Sequence, residues 1–246
     1  MNAIEIENLT IRFNLASEEI SSIKEYFIKL AKRQLNFQEF FALKNISFNV
    51  EKGDSIGLVG ANGSGKSTLL KAISGIYPPY EGSVRVNGII APLIELGAGF
   101  DGQLTARENI YLNGALFGYD RTFMDDKFDE IVDFAELRDF IDVPVRNYSS
   151  GMAARLGFAA ATIVKPDILI CDEVLAVGDM RFQQKCEEKM EELMSNGTTL
   201  LFVSHSIEQV RKVCKNAVWL EHGVMKMKGE VNEVCDSYVK ELMGEM

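Results

Sequence analysis

The chain has 246 residues, with 26 Lys or Arg against 36 Asp or Glu and a formal net charge of −10. Its 47% apolar and 25% charged composition is that of a globular protein, long enough to build a sizeable core without disulfides or a structural metal. The acidic balance argues against a nucleic-acid partner, because neutralising phosphates takes clustered Lys and Arg.

The first segment, MNAIEIENL, is acidic and has no basic-then-apolar secretion signal. Residues 4–11 alternate apolar and polar, the period of a half-buried strand. Ser17 can cap a helix with Glu18 and Glu19 in its first turn and Lys29, Lys32 and Arg33 near its end. Ile20, Ile23, Phe27 and Leu30 share one face of that helix, which suits either a partner or membrane surface or the protein's own strands. Residues 41–50 read as a second strand, 51–54 as a tight turn and 55–59 as a short apolar strand. Helices are expected over 106–116, 124–134 and 152–164, the last after a Ser-Ser-Gly turn. Buried strands at 167–171 and 199–204 bracket a helix striped by Phe182, Cys186, Met190 and Leu193. Two strands around Glu221-His222-Gly223 and a terminal helix near 232–242 complete the chain. This alternation predicts a mostly parallel sheet with helices on both sides. No apolar run reaches the ~18 residues of a membrane span. The cysteines at 171, 186, 214 and 235 form no C-x-x-C pair, which excludes a zinc knuckle and points to reduced thiols in a cytosolic setting.

Gly60-Ala61-Asn62-Gly63-Ser64-Gly65-Lys66-Ser67 fits G-x-x-x-x-G-K-[ST] between a strand and a helix starting near Thr68, the context that pattern requires. Glycines there let backbone N–H groups face a polyphosphate, and the helix N-terminus adds its dipole. Lys66 is expected to reach the β- and γ-phosphates and the Ser67 hydroxyl to ligate Mg²⁺. Gly60 through Thr68 thus form the candidate nucleotide-binding set. A buried strand ending in Asp172-Glu173 supplies two carboxylates at a costly position unless a cation compensates them. Asp172 suits Mg²⁺, and Glu173 suits a general base acting on water. Together these parts predict a nucleoside-triphosphatase.

Tyr148-Ser149-Ser150-Gly151-Met152 is a small-residue turn at a helix start. Ser149, Ser150 and Gly151 can form a second anion site for a γ-phosphate held by another subunit, or an ordinary helix cap. His205 ends an apolar strand at the edge where ligands bind in parallel sheets, whereas His222, in a turn, reads as structural. The turn resembles the signature motif of ABC ATPases, and essentially the whole chain is similar to an ABC transporter nucleotide-binding subunit. The narrower likeness is to the branch exporting bacterial surface polysaccharides such as O-antigen, capsule and teichoic acid. It is carried by Leu96-Gly97-Ala98-Gly99-Phe100, by Leu104-Thr105-Ala106-Arg107-Glu108-Asn109-Ile110, and by Asp172-Glu173-Val174-Leu175-Ala176-Val177-Gly178-Asp179 with Phe182 and Lys185. The helical insertion after Phe13 is typical of the same branch.

That resemblance implies an α/β P-loop NTPase fold: a RecA-like core with an antiparallel β subdomain over 1–97 and 165–246, and a helical subdomain over 98–164. It implies ATP with Mg²⁺, His205 on the γ-phosphate, Asp179 in the nucleotide set, and Phe13 stacking on adenine where a plain strand-end Phe is the alternative. Two copies would face head to tail around two ATP, beside two copies of a transmembrane permease that handles the lipid-linked glycan. The subunit would then sit peripherally on the cytoplasmic face of the membrane. Two departures from the family pattern stand out. Glu95 lies nearest the place of the usual Mg²⁺-contacting glutamine, and Ser150 and Met152 replace a glycine and a glutamine of the signature. A soluble non-transport ABC ATPase, or a subunit exporting another substrate, is the alternative reading.

Overall fold

The computed structural model describes residues 1–16, 37–93, 99–172, 178–204 and 206–244. The expected helix over 17–33 lies outside them. Strands β1 (Asn2–Ala16), β2 (Phe37–Glu51) and β4 (Glu81–Val86) form an antiparallel sheet in the order β2-β1-β4. The alternation read in β1 slips once. Asn8 takes a left-handed φ of 50°, and the pairing register shifts there, so Ile4 and Ile6 are followed inward by Leu9 and Ile11. Ser47 opposite receives the bulge through its hydroxyl, which accepts from Asn8 N at 2.7 Å.

The second sheet runs β5-β6-β7-β3-β8-β9, from β5 (Ile90–Leu93), β6 (Ile168–Asp172), β7 (Thr199–Val203), β3 (Ser55–Val59), β8 (Asn216–Glu221) and β9 (Val224–Glu230). Its first five strands are parallel and β9 is antiparallel to β8. Both faces of β7, β3 and β8 are covered, which is why the central strands read as continuous apolar runs. On one face Ile56, Leu58, Ile168, Ile170, Leu201, Val203, Val218 and Leu220 meet helix α1 (Lys66–Ile73) and the antiparallel sheet. That sheet takes the place of further helices, so the expected helical layer on this side is a mixed one. On the other face Leu169, Cys171, Leu200, Phe202, Ala217 and Trp219 pack with α5 (Met180–Ser195), α6 (Ile207–Val213) and α7 (Val231–Leu242).

A third cluster lies among α2 (Ala106–Leu116), α3 (Arg121–Ala135) and α4 (Ser150–Ile163). Helix α2 starts on a capping box in which Thr105 and Glu108 satisfy each other's backbone amides. The fully buried Asn109 ties down the preceding loop, donating to Asp101 O and Thr105 O while its Oδ1 accepts from Asp101 N. The four cysteines are buried. No helix among the described residues is long and apolar enough to cross a membrane.

Candidate functional site

The phosphate-loop residues 60–65 join β3 to α1. Gly60 has φ 147°, and a Cβ there would sit 2.2 Å from Leu220 O, so only glycine lets the loop cross β8 this closely. Lys66 folds back, its Nζ donating to Gly60 O at 2.7 Å and Ala61 O at 3.1 Å. The Leu69 amide donates to Gly65 O at 2.9 Å, the first-turn bond of the helix. The amides of Ser67 and Thr68 precede the first turn's acceptors and are the donors a helix start offers to an anion. Ser64 is 3% exposed, and its hydroxyl has no partner among the described residues. Gly63 and Asn62 are exposed at the loop's crest.

Strand register brings the rest of the carboxyl edge alongside. Val203 of β7 pairs with Leu58 of β3 on one side and with Asp172 of β6 on the other. The phosphate loop, the end of β6 and the residues after β7 therefore leave the sheet in one row, the position at which open parallel sheets bind ligands. Asp172 closes β6 there. Glu173, His205 and Glu95 lie outside the described residues. Ser67 offers a hydroxyl at the start of α1, a hard oxygen donor of the kind that suits Mg²⁺. Among the described residues there is no group of three or more His, Cys, Asp or Glu that could hold a metal ion.

Ser149 stands at a helix start. It caps α4, accepting from Met152 N at 3.2 Å. Ser149 and Ser150 are exposed, and a Cβ on Gly151 would meet only Ser149 Oγ, at 3.9 Å. The turn is open to solvent. Phe13, half-buried, meets Tyr77 edge-on at 5.2 Å and pairs across strands with Phe40.

Asp179 does a local job. Its carboxylate accepts from Phe182 N at 3.0 Å, capping α5, and from Arg155 at 2.6 Å. The Phe182 amide, with Arg155 adding, holds its pKa below the ordinary carboxylate value. Arg155 also pairs with Glu136 at 2.9 Å and lies over the Phe182 ring, and Lys185 donates to Phe134 O. Two features escaped the sequence reading: this Arg155–Glu136–Asp179 link, and the contact of the β8–β9 turn with the phosphate loop. An Asp three residues before a buried Phe at a helix start signals the cap; the ion pairs have no local signal.

The profile of the ABC transporter family matches residues 43–176. The O-antigen export system ATP-binding protein RfbB of Klebsiella pneumoniae is 43% identical over 237 residues, covering 96% of each chain. The teichoic acids export ATP-binding protein TagH of Bacillus anthracis is 41% identical over 96% of this chain but only 42% of its own length. Among solved structures, an ATP-binding subunit of an ABC transporter superposes with a TM-score of 0.77 at 21% identity, covering 99% of this chain and 98% of the other. An ATP-binding cassette in a dimeric post-hydrolysis state bound to ADP and Pi gives 0.73 at 22% identity, over 93% and 98%. These two likenesses establish the fold.

Proposed function

The chain belongs to the ABC transporter family, and from that premise we propose that it is the ATP-hydrolysing subunit of an exporter of lipid-linked cell-surface polysaccharide. What supports the ATPase mechanism is a phosphate-loop sequence at the sheet edge together with an open, capped helix start at Ser149. In this reading each is half of a nucleotide site, and a second copy facing head to tail supplies the other half. The full-length likeness to an O-antigen export ATPase supports the substrate class.

In this reading the amides of residues 60–68 cradle the triphosphate, and Lys66 exchanges its loop carbonyls for the β- and γ-oxygens. Ser67 and Asp172 hold Mg²⁺, which when bound shields the phosphate charge. Glu173 accepts a proton from the attacking water, and His205 contacts the γ-phosphate. Phe13 stacks on adenine. Ser149, Ser150 and Gly151 of the opposing copy bind the γ-phosphate, so ATP favours closure through contacts that the open state lacks. Hydrolysis and loss of phosphate remove those contacts and release the pair. Asp179 acts at this interface through the start of α5. Two permease copies convert closing and opening into transport and handle the glycan, holding this subunit on the cytoplasmic face of the membrane.

The test is co-purification with the membrane partner, reconstitution in vesicles, and phosphate release with O-antigen, teichoic acid and capsule-type lipid-linked glycans. One glycan class should raise turnover severalfold. Hydrolysis indifferent to every glycan but raised by a chemically unrelated substrate would overturn the export reading.

A further inference from the structure

The turn between β8 and β9 is absent from the nucleotide set above, yet it sits between that set's two halves. His222 and Gly223 take left-handed φ values of 46° and 78°, as a two-residue hairpin turn with both central residues at positive φ requires. The Gly223 N–H donates to Ser64 O of the phosphate loop at 3.0 Å, and Gly223 O accepts from Lys44 N of β2 at 2.8 Å. A Cβ on Gly223 would lie 2.4 Å from Ala42 O and 3.0 Å from Ala42 C, backbone atoms that cannot rotate away. The loop reaches the same point from its side: a Cβ on Gly65 would lie 3.1 Å from Ala42 O and 3.6 Å from Gly223 Cα. Strand β2 carries the contact onward. Leu43 pairs with Ile11 and Phe41 with Arg12, so the clamped segment backs the stretch of β1 that leads into Phe13.

We propose that the Gly223 turn is a joint that registers the phosphate loop against the β1–β2 sheet, which makes Gly223 a positioning residue for bound nucleotide. The inference rests on the reading that the loop takes the phosphates and Phe13 the adenine. A nucleotide spans both halves and is sensitive to their register; inorganic pyrophosphate occupies the loop alone. An added methyl at 223 must push the turn off Ala42, shifting the two halves by a fraction of an ångström to an ångström, a displacement that costs contacts optimised for one geometry.

Calorimetric binding of ADP and of pyrophosphate to the full chain tests this. Gly223→Ala should weaken ADP about tenfold or more and pyrophosphate less than about threefold, a split that general loss of folding would not produce. An ester in place of the Gly223 amide deletes the donor to Ser64 without adding an atom, and should weaken ADP in the same sense even if the alanine variant fails to fold. Val224→Thr, at an exposed position beyond the turn, should bind both ligands as the parent does. Parent-like ADP binding by a folded Gly223→Ala chain and by the ester, or equal loss of both ligands, overturns the joint. Phe13→Ala separates this failure from that of the underlying reading: an unchanged ratio of ADP to pyrophosphate affinity in that variant removes the adenine assignment itself.

Discussion

Ser149 has a structural role and a proposed chemical one, and two substitutions pull them apart. As N-cap of α4 it satisfies the Met152 amide. Ser149→Ala removes that acceptor and should lower stability by about 0.5–2 kcal/mol. Ser149→Asp keeps an equally good cap and favours the helix dipole, so stability should stay within about 0.5 kcal/mol of the parent. Catalysis should rank the variants in the opposite order. Alanine gives up one hydrogen bond to a charged oxygen, roughly 1.5–3 kcal/mol, or about ten- to hundredfold in turnover. A carboxylate about 4 Å from a phosphate charge costs roughly 4 kcal/mol at an effective permittivity of 20, close to three orders of magnitude. Phosphate release at saturating ATP with Mg²⁺, together with melting followed by the single Trp219, reads both quantities on one preparation. Turnover in Ser149→Asp equal to or above that of Ser149→Ala would leave Ser149 only a cap and refute the second anion site.

Glu173→Gln should cut hydrolysis nearly to background while ATP binding persists and the closed dimer accumulates in sedimentation; undiminished steady-state turnover would remove Glu173 as general base. Phe182 is 1% exposed and sits edge-on to Phe134 at 5.8 Å, so Phe182→Ala should cost about 3–5 kcal/mol and lower the melting temperature by roughly 10 °C. Burial pushes the Cys186 thiol up to about 12 from an ordinary 9.0 and raises Cys214 as well. The folded thiols therefore keep protons that the unfolded chain releases near pH 9, so their contribution is complete below that pH and is lost as pH rises from about 9 to 12. A disulfide reagent at pH 8 should accordingly label none of the four thiols in the native chain and all four in denaturant.

What the sequence revealed was local. The phosphate loop shows its glycines, lysine and flanking elements in one short stretch, and α2 has the expected bounds because its capping box lies within its first turn. Strands β4 and β5 were not read. β4 carries no fully buried residue, and the four residues of β5, one of them Pro92, are a strand only through pairing with the distant β6. Helix α6, seven residues long, is too short for a periodic pattern. Gly57 looks like any strand glycine until α6 is in place, where Val210 would come within 2.5 Å of an added Cβ. The same limit applies to the site. Asp179 reads as part of the nucleotide set, yet its carboxylate goes to Phe182 N and Arg155, the second a partner that only the packing of α4 against α5 supplies.

The nucleotide site thus has supports of two mechanical kinds. On the loop side, Gly223 meets Ser64, Lys44 and Ala42 backbone to backbone, a contact with no side-chain freedom to absorb motion. On the signature side, α4 is shared between cores: Leu156, Ala159 and Ile163 face the helical cluster, while Phe158 and Ala161 face the sheet. Phe158 stacks on Phe134 at 5.9 Å, and Arg155 joins the end of α3 to the start of α5 through Glu136 and Asp179. Those ion pairs are partly exposed, with Asp179 at 65%, and pairs of that kind are individually weak and can re-form as helices shift. In the proposed dimer a γ-phosphate drawn between copies would therefore meet a signature turn whose ties to the end of α3 and the Asp179 turn can adjust. The phosphate loop would stay fixed to its sheet. In the proposed dimer the nucleotide site would be held from one side and adjusted from the other, the asymmetry expected of a site that a second subunit completes.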